Sequence, residues 1–313
     1  MRAEPVTIDT KCDAVLMIGF GGPTRADEVR PFLDNVVRGR PIPPARYEEV
    51  VHHYDLLGGR SPYNEITIRQ AGALRERLAS DGIKIPIAVG MRNWEPYIDS
   101  ALQSLAASGA RRTLGFIMAA YRSESSWERY QESVRAAAEK LGAAAPQLEY
   151  PEPWHAHPKF ITAIAGRAAQ AVERLDAVAR SRAHLIFTAH SIPVAMAKGS
   201  PYVDQLTESS RLVAAELGFA SWTLAFQSRS GGPRDPWLEP DIGAALRKLE
   251  AGSAAVVVPI GFLSDHVEVL YDLDVAAAAI AREAGVRMER AGTVGDHPMF
   301  IEMMAEIVRS HVG

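Results

Sequence analysis

Cysteine is nearly absent from this chain: Cys12 is the only one in 313 residues. That excludes an intrachain disulfide, and it excludes an iron–sulfur cluster held by four cysteines of the chain. Basic runs and arginine-rich tracts are also missing. With a formal net charge of −4, no nucleic-acid partner is expected. Long hydrophobic runs are missing as well. The most apolar stretch, residues 254–263, is far too short to cross a bilayer, so no integral membrane span is expected. The start, MRAEPVTIDTK, is polar and lacks the apolar centre of a signal peptide. These absences lead to the expectation of a cytoplasmic protein.

Hydrophobic residues make up 47% of the chain and charged residues 23%, the profile of a soluble globular protein. The length suffices for one large or two medium domains. Compact apolar runs recur at residues 13–20, 86–91, 112–121, 184–190, 221–228 and 253–262. Helical stretches with start and stop signals lie between them. Thr24 with Asp27 has capping-box spacing, Asn64 opens a helix that ends at Asp81-Gly82, and Ser125 with Glu128 opens one closed by Gly142. Apolar strands alternating with helices predict an α/β fold with mostly parallel, doubly covered sheets. Element order divides the chain into two similar halves, and the proline-rich PQLEYPEPWHAHP reads as the crossing between them.

Two runs end in polar clusters. HLIFTAHSIP stops at His190, and VVVPIGFLSDHVEVLYDLD passes into Asp265, His266, Glu268, Asp272 and Asp274. Open parallel sheets bind ligands outside the carboxyl ends of their strands. An imidazole and several carboxylates therefore stand where such a sheet builds its site. Histidine carries protons near neutral pH and binds metals; the plainer reading of His190 is a bond to a neighbouring loop. Glu268 and Asp272 share a helix face. Asp265 has capping-box spacing to Glu268, which accounts for Glu268 alone but not for the acids behind it. Crowded carboxylates are costly without a cation, which favours a metal role. His266 is read as supporting the site from behind. The Phe20-Gly21-Gly22-Pro23 turn lacks the dinucleotide fingerprint and the P-loop lysine, and reads as a turn before it reads as a phosphate cradle. Arg38, Arg40, Arg92 and Arg122 are cations suited to carboxylate groups, each by itself an ordinary surface residue. The Gly- and Pro-rich stretch 227–240 reads as an ordered loop of the kind that carries function.

Taken together, GFGGP, GGRSPYN, GMRNWEPYI, TAHSIP, FQSRSGGPRDPWLEPDI and VVVPIGFLSDHVEVLYDLD resemble, in order and spacing, the ferrochelatase family, which inserts ferrous iron into a porphyrin. The DPWLEPD loop is similar to that of soluble bacterial members. The resemblance implies two Rossmann-like, chelatase-like domains with a cleft between them. The first spans residues 1–150, and the second, 151–295, carries the catalytic His and Glu; a final helix over about 296–313 packs back on the first. It implies that His190 is the catalytic histidine and Glu268 the essential glutamate of an SDH-x-E motif. Asp272 falls one turn further along a metal or proton path, so His190, Glu268 and Asp272 form the metal-handling set. Phe20, Tyr121, Tyr130, Ser61, Arg38 and Arg122 are expected on the porphyrin, with the arginines holding propionates. The sequence departs from relatives at Ala276, where a further acid is frequent, and at Phe20, which cannot ligate iron. The implied partners are a porphyrin and Fe²⁺, the metal being a substrate. No permanently bound cofactor and no iron–sulfur cluster is expected, and the expected state is a monomer. The alternatives are a cobalt or sirohydrochlorin chelatase and a non-catalytic porphyrin or metal carrier. Between protoporphyrin IX and coproporphyrin III, the soluble bacterial likeness leans to the latter.

Overall fold

The computed structural model describes residues 11–39, 42–230 and 235–312. Arg40, loop residues 231–234 and the polar start at 1–10 lie outside the described residues. Strands β1 (Ala14–Gly19), β2 (Ile87–Met91), β3 (Arg112–Ile117) and β4 (Gln147–Glu149) form one sheet in the order β2-β1-β3-β4. Strands β5 (Ala183–His190), β6 (Trp222–Gln227), β7 (Ala254–Val258) and β8 (Arg287–Arg290) form a second in the order β6-β5-β7-β8. Every pairing is parallel, so each carboxyl edge collects the loops of its own half.

Six strands coincide with the apolar runs, although two runs outlast the sheet. β3 ends at Ile117 rather than near Tyr121, and β7 ends at Val258 because Pro259 follows. β4 and β8 were not expected. Both are short, polar edge strands, the form in which an edge resists pairing with strangers, and neither carries an apolar run. The presumed crossing therefore begins as a strand, at Gln147.

Alternation assigns the strand faces. In β1, Ala14, Leu16 and Ile18 pack with Ile98, Leu102, Leu105 and Val134 on the outer side. Val15 and Met17 face the other way, into a core that continues through Leu74, Phe116, Phe160, Met303 and Met304 to Phe187 and Val256 of the second sheet. One hydrophobic core therefore joins the inner faces of both sheets. The helix Pro298–His311 lies in it, packed against the helices Tyr63–Ser80 and Pro158–Glu173. Its end returns to the start of the first sheet, where Cys12 N–H donates to the His311 carbonyl at 2.7 Å.

Three helix starts differ from the sequence reading. Thr24 is met by Glu28, whose carboxylate accepts its N–H and hydroxyl at 2.8 and 2.9 Å, rather than by Asp27. Asn64 lies inside its helix with a buried amide. The capping box before Arg129–Leu141 is made by Ser123 and Ser126, two residues earlier than Ser125 and Glu128 would place it, and it opens the π-helical turn Glu124–Glu128.

Candidate active site

His190 is the last residue of β5. Its Nδ1 lies 2.5 Å from the Ser191 carbonyl. A carbonyl only accepts, so Nδ1 carries the proton and the neutral ring keeps its lone pair on Nε2. That atom faces Glu268 Oε1 at 3.5 Å. The Tyr202 hydroxyl donates to the His190 carbonyl at 3.0 Å and fixes the backbone beneath the ring. The bond to a neighbouring loop is thus real, and it is what aims the other nitrogen.

Glu268 sits in a short helical turn, Val267–Val269, that opens into a π-helical stretch, Leu270–Ala277. Such turns recur at functional sites. Two groups fix its backbone. His266 Nδ1 caps the turn by accepting the Glu268 N–H at 3.1 Å, and Gln227 Nε2 donates to the Glu268 carbonyl at 2.7 Å. The cap is therefore His266, not Asp265, and the Glu268 carboxylate is free to face His190. Burial lowers the pKa of His266, which favours the neutral ring a cap requires. Asp272 accepts a hydrogen bond from the Ser228 hydroxyl. Ser228 holds φ +59°, a left-handed conformation uncommon outside glycine, directly after β6.

Charge separates the three acid–base groups. Burial alone would lower His190, but the Glu268 carboxylate and the Ser191 carbonyl outweigh it, and its pKa is raised to about 8. Burial alone would raise Glu268, but the His190 charge and hydrogen bond outweigh it and bring it down to about 2. Asp272 is different: burial, with the Glu268 charge added, lifts it to about 6 against the Ser228 bond. The site thus holds a base, a carboxylate that stays ionised and an acid that titrates near neutrality.

The remaining acids of the cluster turn away. Asp274 and Asp265 both pair with Arg290, at 2.5 and 3.3 Å. Among the described residues no three His, Cys, Asp or Glu side chains gather as a metal cage; His190 and Glu268 stand as a facing pair, with Asp272 further along the π-helix.

The residues expected on the porphyrin divide. Phe20 is half-buried, edge-on to Phe32 at 6.2 Å, and its N–H donates to the Tyr63 hydroxyl at 3.0 Å. Tyr130 is buried beside Arg92 and is placed so that the Glu268 charge acts on it. Tyr121 is 2% exposed and belongs to the shared core, so it offers no ring face to a ligand. Ser61 is buried under Gly22, where a Cβ added to the glycine would lie 2.8 Å from the Ser61 Cβ. Arg122 is committed: its guanidinium lies 3.7 Å above the Trp127 ring and donates to the Pro151 carbonyl at 2.8 Å. Arg38 is exposed and reaches Asn35. An open depression of about 670 Å³ beside Trp94 and Glu95 contains none of these residues.

Sequence reasoning missed several supports. Asn64 ties the glycine turn to the next loop, accepting the Gly22 N–H at 2.9 Å and donating to the Glu95 carbonyl at 2.8 Å. Across the halves, His53 stacks on Tyr271 at 3.5 Å and Tyr63 meets His266 at 6.1 Å. Arg46 adds positive charge felt by both Glu268 and Asp272. His53 and Arg46 stand in no motif; Tyr63 and Asn64 lie in GGRSPYN, and His266 and Tyr271 in the last motif, but only tertiary contact reveals what they hold.

The family model described as Ferrochelatase matches residues 12–312. A protein of Rhodopirellula baltica named ferrochelatase is 42% identical over 304 residues, covering 96% of this chain and 86% of the relative. A coproporphyrin III ferrochelatase of Nocardia farcinica is 42% identical over 310 residues, covering 96% and 88%. Among solved structures, the sirohydrochlorin chelatase SirB of Bacillus subtilis subspecies spizizenii, in complex with cobalt, superposes with a TM-score of 0.57 at 12% identity, covering 96% of this chain and 94% of that one. CbiX, an enzyme of sirohaem synthesis in denitrifying bacteria, gives 0.53 at 17% identity, covering 96% and 100%. At such identities these two likenesses speak for the two-sheet chelatase fold alone.

Proposed function

This chain belongs to the ferrochelatase family, and we propose that the porphyrin it takes is coproporphyrin III, with His190, Glu268 and Asp272 performing the proton chemistry. It is a lyase that inserts ferrous iron into a porphyrin in haem synthesis. The substrate assignment is supported by the 42% identity to the Nocardia farcinica enzyme over 96% of this chain. The assignment of roles rests on one observation, the Nε2 of His190 facing Glu268 at 3.5 Å from a strand end.

Iron can enter the ring only as two pyrrole protons leave, so porphyrin and Fe²⁺ give metalloporphyrin and two H⁺. In this reading the Nε2 lone pair of His190 takes the first pyrrole proton, Glu268, held ionised, stabilises the imidazolium that forms, and relay of that proton to Asp272 frees His190 for the second. Asp272, poised near neutrality, passes protons toward solvent between turnovers. Water leaves the pair when the macrocycle covers it, and the Coulomb attraction strengthens as it does. Phe20 and its neighbours supply the apolar wall, and Arg38 and Arg46 the positive charge for propionates. Fe²⁺ enters as a substrate, and no resident cofactor takes part. A cytoplasmic monomer completes the reading; among the described residues no helix is long and apolar enough to cross a membrane.

The test is anaerobic insertion of Fe²⁺ followed by loss of the free-base spectrum. Coproporphyrin III is expected to give a kcat/KM at least about tenfold above protoporphyrin IX, because each lost anchoring contact is worth roughly a kcal/mol or more. The reverse order overturns the substrate assignment. Tight binding of both rings without insertion overturns the catalytic roles and points to a carrier.

A further inference from the structure

Arg290 ends the edge strand β8, and the chemistry of insertion gives it no part. Its surroundings do. Its guanidinium takes Asp274 with two nitrogens, at 2.5 and 2.9 Å. Its third nitrogen donates to Asp265 at 3.3 Å and to the Ala291 carbonyl at 3.2 Å. Asp265 precedes Glu268 and Asp274 follows Asp272, so one side chain grips both flanks of the segment that carries the reacting carboxylates.

We propose that Arg290 is a positioning residue, which sets Glu268 and Asp272 against His190 by clamping both ends of their segment to the second sheet. The proposal deepens the catalytic reading above and rests on it. Three observations carry it. The segment is not a strand and has no register of its own; it runs through a short turn into π-helix, a rare form found mostly as single turns at functional sites. The anchor itself is rigid: Arg290 pairs in register with Val257 of β7, and Ala291 N–H donates to the Val257 carbonyl at 2.8 Å. Finally, the Arg290 side chain is only 15% exposed, and its fork meets Asp274, 40% exposed, bidentately, the geometry in which such a pair contributes most.

The clamp also sorts the acids. Asp265, Glu268, Asp272 and Asp274 crowd one short stretch, and left unpaired they would offer a divalent ion several competing resting places. Arg290 occupies the outer two, and an arriving Fe²⁺ meets Glu268 and Asp272. A lysine keeps the charge but lacks the fork that holds both flanks.

The test measures Arg290→Gln, Arg290→Lys, Asp274→Asn and Glu268→Gln side by side. The readouts are porphyrin binding by fluorescence quenching, kcat and KM for Fe²⁺, and thermal midpoint. For Arg290→Gln the expected result is a tenfold or greater fall in kcat per folded molecule with porphyrin binding within twofold of the parent. Arg290→Lys should recover part of that loss. Asp274→Asn, which leaves the core untouched, should lower kcat about threefold and show non-additivity when combined with Arg290→Lys. Should Arg290→Gln not fold, Asp274→Asn and the lysine variant carry the test alone. A lowered thermal midpoint with kcat and KM unchanged overturns the proposal and leaves Arg290 a stabilising pair only. If Glu268→Gln is itself fully active, the catalytic reading fails first; if Glu268→Gln is inactive while Arg290→Gln and Asp274→Asn are not, the positioning role alone fails.

Discussion

At the carboxyl edge of the first sheet the polar groups are consumed by their own neighbours. Ser61, Asn64 and Asn93 are buried and bonded to the backbone of the glycine turn and the loop after β2. At the same edge of the second sheet, His190, Glu268 and Asp272 are half-buried and charged, and their pKa values are driven apart. Strand order and connection are the same in both. The scaffold therefore does not decide the chemistry; what the loops do with their polar atoms does. One edge makes a rigid wall, the other a titrating one. The first half should govern how a ring is held, and the second how fast it reacts.

The most severe break is at the second edge. His190→Ala should lower kcat by about 10²–10⁴-fold, the usual worth of a placed base, with porphyrin binding by fluorescence near the parent value. A loss that appears in binding instead would assign His190 to the wall. Glu268→Gln comes next, at roughly 10²-fold in kcat, since the backbone bonds from His266 and Gln227 survive the change. It also predicts a movement with pH. In the parent, kcat/KM should rise as pH passes through about 8, where His190 loses its proton. Without the Glu268 charge that limb should fall toward 6.5, the ordinary value. The stability signs follow. The raised His190 contributes fully below 6.5 and is lost as pH rises through about 8, whereas the lowered Glu268 contributes above 4.5 and is lost as pH falls through about 2.

Asp272→Asn should be milder, about five- to tenfold in kcat, on the view that a proton exit is slowed and no base is removed; rate measurements in increasing buffer should restore it. The smallest catalytic effect is expected at the first edge. Gly22→Ala drives a methyl to within 2.8 Å of the Ser61 Cβ, and overpacking of this kind costs about 1–3 kcal/mol. It should lower the thermal midpoint and weaken porphyrin binding while leaving kcat within about twofold. A kcat collapse in Gly22→Ala would erase the division between the two edges.

Much of this was legible in the sequence because a buried parallel strand writes itself as an unbroken apolar run, and His190 ends such a run. β4 and β8 were not legible, since these two edge strands are only three and four residues long and mostly polar, whereas the edge strands β2 and β6 carry apolar runs. Glu268 was legible as an acid among acids, but its freedom was not. Asp265 has capping spacing, yet it is drawn off by Arg290 from a strand the sequence hides, and His266 takes the cap. Tyr121 was expected on the porphyrin from the resemblance, and its burial in the shared core is not legible, because residue type alone does not tell an aromatic of a wall from one of a core. The strained backbone of Ser228 and the π-helical turn leave no signature in residue type.

The core that joins the two inner faces bears on how the molecule is made. Val15 and Met17 share this core with Met303 and Met304, which lie almost three hundred residues further along and pack against the Tyr63–Ser80 and Pro158–Glu173 helices. As the polypeptide emerges from a ribosome, Leu74 and Leu78 of the Tyr63–Ser80 helix can begin this core early, but it stays incomplete until residues 298–311 are synthesised. Contacts of such long sequence separation form slowly, and surface exposed meanwhile invites aggregation. The nascent first half is thus a natural client for a chaperone, and loss of the last helix would expose the apolar sides of the two helices it packs against.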